Sequence, residues 1–234
     1  MRTTTNFLRV SEHTSMLAER TRRLVEALTL SAPWALCSRY EELSHCMEAS
    51  VCGVEVLGKY GIHARVFPCS VVAAHQKSSG VLLGFSREDQ AKISQGEMHY
   101  MGAATPHKDG FHCAIEVEEQ LIVDLTLGQL WEAGVDVSPT FVFNRADLET
   151  RQFRTPGDWC FAYEHGTQPP PELEEFKNCD HSGLTEDFED LVKLALHVGR
   201  DLFLAALPRA IGVDVFTTTF QRIHDLRERT GKSV

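Results

Sequence analysis

The apolar residues of this chain change their spacing twice, and each change restricts the folds that it can adopt. Residues 11–30 and 46–60 carry apolar side chains at the three- and four-residue intervals of an α-helix. Residues 63–163 contain short runs rich in β-branched and aromatic side chains, and residues 184–207 return to helical spacing. This order predicts an α+β fold with a β-rich middle and helices before and after it.

Local signals set the expected limits of the first helices. Ser11 is the expected N-cap of the first helix, and Pro33 lies just past its expected end. Residues 34–45 fit either a short helix or an irregular approach. Gly58 or Gly61 is expected to end the second helix, because glycine readily adopts the backbone conformation that closes a helix.

Six runs are expected to form strands: 63–74, which Pro68 interrupts, 81–85, 111–117, 120–125, 141–143 and 159–163. Glu118 and Glu119 separate the third run from the fourth, and this short polar interval predicts a β-hairpin. Residues 86–110 are polar and rich in glycine, so they predict a long loop with one short helix near residues 87–94.

The chain changes character again after the β-rich part. Residues 168–175 contain three consecutive prolines and three glutamates, which predict an extended, solvated connector. A strong helix is expected at 184–207 and a last one at 214–229. We therefore divide the chain into residues 1–167 and a helical extension, residues 168–234, that packs on the same domain.

Composition excludes several classes of function. A formal net charge of −10 argues against a nucleic-acid partner, because proteins that bind phosphate backbones concentrate Lys and Arg. The sequence contains no apolar run of about 18 residues, so no membrane partner is expected. The first residues lack the apolar core of a secretion signal, and seven cysteines suggest no disulfide framework. We expect a cytoplasmic protein with free thiols.

Cys46 stands at the predicted start of the second helix. A helix N-terminus carries a partial positive charge and free backbone N–H groups, which favour a thiolate and can hold an oxyanion. A cysteine is more commonly a small buried apolar residue, and that interpretation suits five others: Cys37, Cys52, Cys69, Cys160 and Cys179. Position at a helix start therefore distinguishes Cys46.

His112 and Asp124 lie on the two strands of the predicted hairpin. In strand geometry His112, Ala114 and Glu116 share one face, and Cys113 lies on the other. Across a tight hairpin Asp124 would lie near His112 and accept its ring N–H. A thiol, a base and a group that orients the base are the three parts that a cysteine nucleophile needs.

Three segments resemble the core of the transglutaminase-like cysteine enzymes, which belong to the papain-like superfamily. Residues 46–50 and 61–66 are similar to their nucleophile helix and the Gly-Ile-x-Ala-Arg turn into the first strand. Residues 112–117 resemble their His-x-x-x-Glu-Val strand, and residues 121–126 resemble the strand that closes on Asp-x-Thr. The resemblance covers about residues 40–130 and implies a nucleophile helix packed on an antiparallel sheet, with added N- and C-terminal helices.

This resemblance implies a function. Cys46 would be the nucleophile, His112 the base and Asp124 the orienting carboxylate, within a catalytic domain at residues 1–167. The expected enzyme cleaves or transfers an acyl group at a peptide, amide or thioester, as a peptidase, amidase or acyltransferase, and uses no cofactor and no metal. Ser44-His45 and Cys113-Ala114 depart from the family pattern, as does the interval of 66 positions between nucleophile and base.

Two other functions stay open at this point. The same fold could serve as an inactive binding module. Alternatively His99, His107 and His112, with Asp109 between them, could bind the metal of a hydrolase, although the chain contains no Cys-x-x-Cys pair and no His-Glu-x-x-His motif. If the enzyme is correct, Trp34 and His45 are the candidates for a side chain that completes the oxyanion hole.

Overall fold

The fold is seen in a computed structural model that describes residues 19–40, 45–75, 80–83, 98–100, 112–133, 137–155, 159–165 and 171–204. The helices are α1 (Glu19–Tyr40), α2 (Cys46–Lys59), α3 (Pro171–Lys177) and α4 (Ser182–Val198). The strands are β1 (Ala64–His75), β2 (Gly80–Leu83), β3 (Met98–Tyr100), β4 (His112–Val117), β5 (Leu121–Asp124), β6 (Phe141–Asn144), β7 (Phe153–Arg154) and β8 (Trp159–His165). The predicted α+β class is confirmed.

One curled sheet contains all the described strands. Its main path runs β3-β2-β1-β4-β5-β6, and β8 joins β1 and also pairs with β7. All pairs are antiparallel except β2 with β3. The long strand β1 pairs with β4 in its first half, and with β2 and β8 in its second half. β1 therefore joins the strands β2 and β8 to the strands β4, β5 and β6.

The two faces of the sheet are covered differently. Helix α2 packs closely on β4, because a Cβ atom added to Gly53 would lie 2.6 Å from Ile115 Cδ1. Leu28 of α1 packs at the same position, with its Cδ2 atom 3.5 Å from that Cβ atom. The opposite face carries an aromatic cluster, in which the Phe143 and Tyr163 ring centroids are 4.6 Å apart. Its members are Phe141, Phe143, Phe153, Phe161 and Tyr163.

Pro33 does not end the first helix, so that prediction was wrong. Helix α1 continues to Tyr40, with Pro33 in its interior and buried. Proline has no N–H to donate to the carbonyl of residue 29. The Thr140 hydroxyl donates to the Thr29 carbonyl oxygen instead, at 3.3 Å. A contact from the distant part of the chain thus replaces the hydrogen bond that proline removes. Ser11 lies outside the described residues.

Two predicted irregular segments contain regular structure. Residues 171–177 form α3 rather than an extended connector, and Leu173 of this helix is buried. Pro171 is its first residue, where a missing N–H does no harm. Residues 98–100 form β3 inside the predicted loop, and they pair in parallel with β2. The short helix predicted near residues 87–94 lies outside the described residues.

The predicted hairpin is confirmed, and its turn is strained. Glu118 and Glu119 both have positive φ angles, 50° and 55°, and Gln120 N–H donates to the Val117 carbonyl oxygen at 3.0 Å. Non-glycine residues rarely adopt this conformation. The Glu118 side chain accepts a hydrogen bond from the His63 N–H, so contacts with the chain before β1 hold the turn.

The remaining boundaries follow the sequence signals in part. Helix α2 ends at Lys59, and Gly61, at a φ of 73°, follows it as expected. Pro68 lies inside β1 but before the segment that pairs with β8, where no described strand pairs with that edge of β1. Helix α4 ends at Val198, and Gly199, at a φ of 75°, interrupts the helix predicted at 184–207. Residues 200–204 are helical again, and positions 205–207 lie outside the described residues. The helix predicted at 214–229 lies outside the described residues.

Candidate active site

Cys46 is the first residue of α2, as the sequence predicted. The residue as a whole is half-buried. The preceding residue, His45, occupies the N-cap position and makes no side-chain hydrogen bond to the helix start. The first N–H groups of a helix have no acceptor within the helix itself. The start of α2 therefore offers the sulfur both a partial positive charge and backbone donors.

His112 and Asp124 form a buried hydrogen-bonded pair. His112 begins β4 and Asp124 ends β5. His112 Nε2 and Asp124 Oδ2 are 2.8 Å apart. Ile115 pairs with Val123, so Asp124 is opposite residue 114 and reaches His112 diagonally on the same face. The expected proximity is confirmed.

Three donors converge on the Asp124 carboxylate. Besides His112, the Thr126 N–H donates to Oδ1 at 2.8 Å and the Tyr163 hydroxyl donates to Oδ2 at 2.7 Å. Burial, followed by the charge of Asp124, raises the pKa of Tyr163 well above its usual range, so the phenol keeps its proton. These bonds stabilise a buried carboxylate that would otherwise lose much solvation energy.

Sequence reasoning did not identify Tyr163. It lies on β8, 39 positions beyond Asp124, and β8 reaches the site by pairing with β1. The sequence predicted a strand at this place, but no local signal gives the register that points the hydroxyl toward Asp124.

The second ring nitrogen of His112, Nδ1, is the one that Asp124 does not hold. His112 Nδ1 is buried and has no hydrogen-bond partner of normal geometry among the described residues. The Cys46 thiol interacts with the same imidazole. Catalytic hydrogen bonds are often long or poorly aligned before substrate binds. Asp124 thus holds one nitrogen of the ring, and the other nitrogen is left for the sulfur.

The electrostatics favour an ion pair. Hydrogen bonding from the Cys113 thiol, together with the neighbouring His112, holds the pKa of Cys46 well below its ordinary value of 9.0, although burial opposes this. Burial by itself lowers the pKa of His112, but the charge and hydrogen bond of Asp124, with a further contribution from Cys46, raise it to about 10. Thiolate and imidazolium are therefore the favoured forms at neutral pH.

Three other thiols have pKa values that are raised rather than lowered. Burial raises the pKa of Cys52 to about 11 and that of Cys69 well above its usual range. The hydrogen bond with Cys46, and burial, raise the pKa of Cys113 well above its usual range. Thiols in apolar surroundings are poor nucleophiles, whereas a thiolate is a good one. Of these four cysteines, Cys46 is the one suited to reaction.

The structure places the two oxyanion-hole candidates in packing positions. Trp34 is buried in α1 as part of the apolar core. The His45 ring stacks on Tyr40 at a centroid distance of 3.8 Å, and its Nδ1 lies 3.2 Å from Glu48 Oε1. The backbone N–H groups at the start of α2 have no acceptor within the helix, so they are also suited to hold an oxyanion.

The described residues contain no group of three His, Cys, Asp or Glu side chains that could hold a metal ion. His107, Asp109 and the side chain of His99 lie outside the described residues. In the same part of the chain, no helix has both the length and the apolar character needed to cross a membrane.

Comparisons with known proteins give no name for this site. No family model matches the chain, and no curated protein matches it. A solved crystal structure named genomics APC5867 is similar over 80% of this chain and 82% of its own, with 15% identity and a TM-score of 0.43. A similarity of this size carries no argument about function.

Proposed function

We propose that this protein is a cysteine-nucleophile enzyme of the transglutaminase-like type, which cleaves or transfers an acyl group at an amide or thioester. One observation carries the proposal. Asp124 fixes Nε2 of His112 at 2.8 Å, while the buried Nδ1 is left for the thiol of Cys46. A fixed tautomer with a free second nitrogen is what a base in such a triad requires.

The proposed core is papain-like. A helix that starts at the nucleophile and packs on an antiparallel sheet supports this proposal, as does the order of Cys46, His112 and Asp124 along the chain. Residues 1–167 would then form the catalytic domain, with residues 168–234 as an extension on it. Contacts of helix α4 support this division, because it makes ion pairs with α1 and α2, through Arg39–Asp187 and Lys59–Glu189.

The reaction begins with attack of the Cys46 thiolate on the carbonyl carbon of the substrate. The resulting oxyanion accepts hydrogen bonds from the backbone N–H groups at the start of α2. The protonated His112 donates its Nδ1 proton to the leaving amine or thiolate, and the C–N or C–S bond breaks. A thioester between the acyl group and Cys46 remains.

The second half of the reaction releases the acyl group. His112 Nδ1, now unprotonated, takes a proton from water or from an amine, which attacks the thioester carbon. The C–S bond to Cys46 then breaks, the acyl group leaves on the water or amine, and the Cys46 thiolate and the His112 imidazolium are restored. Water gives hydrolysis and an amine gives transfer, so peptidase, amidase and acyltransferase activity use the same residues. In both halves Asp124 accepts the Nε2–H bond and stabilises the imidazolium each time it forms.

Selective labelling tests this proposal. Iodoacetamide at neutral pH, followed by mass spectrometry of peptides, should modify Cys46 before the exposed thiol of Cys179. His112→Ala should slow the labelling of Cys46 alone. His181→Ala is a matched control, because His181 Nε2 also lies 2.7 Å from a carboxylate, on Glu55, and its Nδ1 is buried. Equal labelling of Cys46 in all three proteins would contradict the assignment of His112.

Acyl capture separates an enzyme from an inactive binding module. Incubation with an activated thioester or ester should add one acyl group to the protein, and peptide mapping should place it on Cys46. Hydroxylamine should remove it, because it cleaves thioesters. A protein whose Cys46 labels rapidly but never carries an acyl group would be the binding module, and a protein that loses activity on chelation would be the metal hydrolase.

A further inference from the structure

A second thiol lies directly against Cys46. The Cys113 thiol and backbone lie near enough to the Cys46 sulfur to lower its pKa, and Cys46 raises the pKa of Cys113 in return. Cys113 is completely buried, whereas Cys46 is half-buried. Cys113 helps to lower the pKa of Cys46, but it takes part in no step of the mechanism proposed above.

The packing of α2 on β4 explains why these two thiols meet. Cys46 and Gly53 are seven residues apart, so they lie on one side of α2, two turns from each other. Cys113 and Ile115 are two residues apart, so they lie on one face of β4. Gly53 lies directly on Ile115, where a Cβ atom would come within 2.6 Å of it. Cys46 therefore lies near Cys113 further along the same interface between α2 and β4. Gly53 has no side chain, so the helix can approach the strand closely there.

We propose that Cys46 and Cys113 are a redox pair, in which a hydroperoxide oxidises Cys46 and Cys113 closes a reversible disulfide with it. Only Cys46 is open to the oxidant, because Cys113 is covered by the helix and the strand. This proposal needs a reactive thiolate at Cys46 but does not depend on acyl chemistry.

The chemistry has two steps. In the first, the Cys46 thiolate attacks one oxygen of hydrogen peroxide, the O–O bond breaks, and a sulfenic acid and hydroxide form. In the second, the Cys113 sulfur attacks the Cys46 sulfur, an S–S bond forms, and the sulfenic hydroxyl leaves with the Cys113 proton as water. In total two thiols lose two hydrogen atoms, and one peroxide becomes two waters.

The disulfide would have two effects on the site. It removes the nucleophile, so the protein is inactive while it is oxidised. It also stops oxidation at a reversible level, because a sulfenic acid left without a partner thiol proceeds to sulfinic acid, which ordinary thiols do not reduce. Thiol reductants should restore the reduced pair by exchange.

The experiment treats the reduced full-length protein with hydrogen peroxide, blocks the remaining thiols in denaturant, and maps peptides without reduction. Two of the seven thiols should disappear, and a peptide joining Cys46 to Cys113 should appear. Dithiothreitol should then restore iodoacetamide labelling of Cys46. In Cys113→Ser, or in Cys113→Ala if the serine protein does not fold, Cys46 should become sulfinic acid and labelling should not return. Cys69→Ser should behave as wild type.

Several outcomes would overturn this proposal. They are a Cys46 that resists peroxide, a disulfide to Cys69 instead, or over-oxidation of Cys46 as fast in wild type as in Cys113→Ser. The two proposals fail separately. A protein that forms the disulfide but no acyl-enzyme keeps the redox pair and loses the enzyme, and a protein that forms an acyl-enzyme but no disulfide does the reverse.

Discussion

Replacing Asp124 with asparagine should abolish the ion pair at Cys46 while leaving the fold in place. The asparagine side chain keeps an amide oxygen that can accept the Thr126 N–H, as Oδ1 of Asp124 does now. Its NH₂ group would then stand where Oδ2 accepts from His112 Nε2 and Tyr163. A donor at this position requires Nε2 to be the acceptor. The ring proton therefore moves to Nδ1, which can no longer take the proton of the thiol.

The magnitude follows from the pKa of His112. Its rise from an ordinary 6.5 to about 10 is due chiefly to Asp124 and corresponds to about 5 kcal/mol in favour of the imidazolium. Without the carboxylate, burial acts on the ring and lowers its pKa. Cys46 then loses its positive neighbour, so its pKa rises, and only Cys113 still acts to lower it. A smaller fraction of the Cys46 thiol is therefore ionised at pH 6 in Asp124→Asn than in wild type.

The assay is the rate of iodoacetamide labelling of Cys46 between pH 6 and pH 8. Wild type should give a nearly flat profile, because the thiolate is already formed. In Asp124→Asn the rate should rise with pH, by up to about tenfold per unit while the pH is below the pKa of the thiol. The slope is the decisive readout, because a less acidic thiol is also a better intrinsic nucleophile, with a Brønsted coefficient of about 0.4–0.5.

Circular dichroism must show that Asp124→Asn is folded before the rates are compared. A flat profile in the folded variant, equal to that of wild type, would refute the reasoning. Asp124 would then orient nothing that matters to Cys46, and the thiolate would have to depend on Cys113 and the helix start alone.

The other predictions concern stability and are measured by urea unfolding. Tyr163→Phe removes a buried hydroxyl that donates to a carboxylate and should lower the free energy of unfolding by about 1.5–3 kcal/mol, while Cys46 still labels at low pH. Gly53→Ala places a methyl group 2.6 Å from Ile115 Cδ1 and should destabilise by about 1–3 kcal/mol, whereas Gly58→Ala, in the same helix with nothing within 4 Å, should be neutral or stabilise slightly. Thr140→Val leaves the buried Thr29 carbonyl without its donor and should destabilise by about 1–3 kcal/mol.

The candidate site was predictable where its geometry is local. The start of α2 follows from a change of period and the glycines after it, and the hairpin follows from two apolar runs separated by a polar turn. Strand alternation then places His112 and Asp124 on one face without knowledge of the rest of the fold. The third residue, Cys46, is brought to them by helix packing, which the sequence indicates only through the family resemblance.

The parts that could not be predicted depend on distant contacts. Pro33 is a stop signal in isolation, and it is tolerated in α1 because a threonine 111 positions away supplies the missing hydrogen bond. Pro171 and its acidic neighbours indicate a connector, but burial of Leu173 makes them a helix. Tyr163 reaches the site through the register of β8 on β1, which no short pattern encodes.

His112 is the first residue of β4, and this position explains how the Cys46 sulfur can lie near both Cys113 and His112, which point to opposite faces of the sheet. Cys46 belongs to the helix layer, which covers the face of Cys113, and His112 points to the opposite, aromatic face. In the middle of the strand these two faces are separated by the backbone itself. At its first residue the ring can reach past the strand end to the sulfur. A histidine introduced in place of Ala114 would share the face of His112 and still face Asp124, but the strand would stand between it and Cys46.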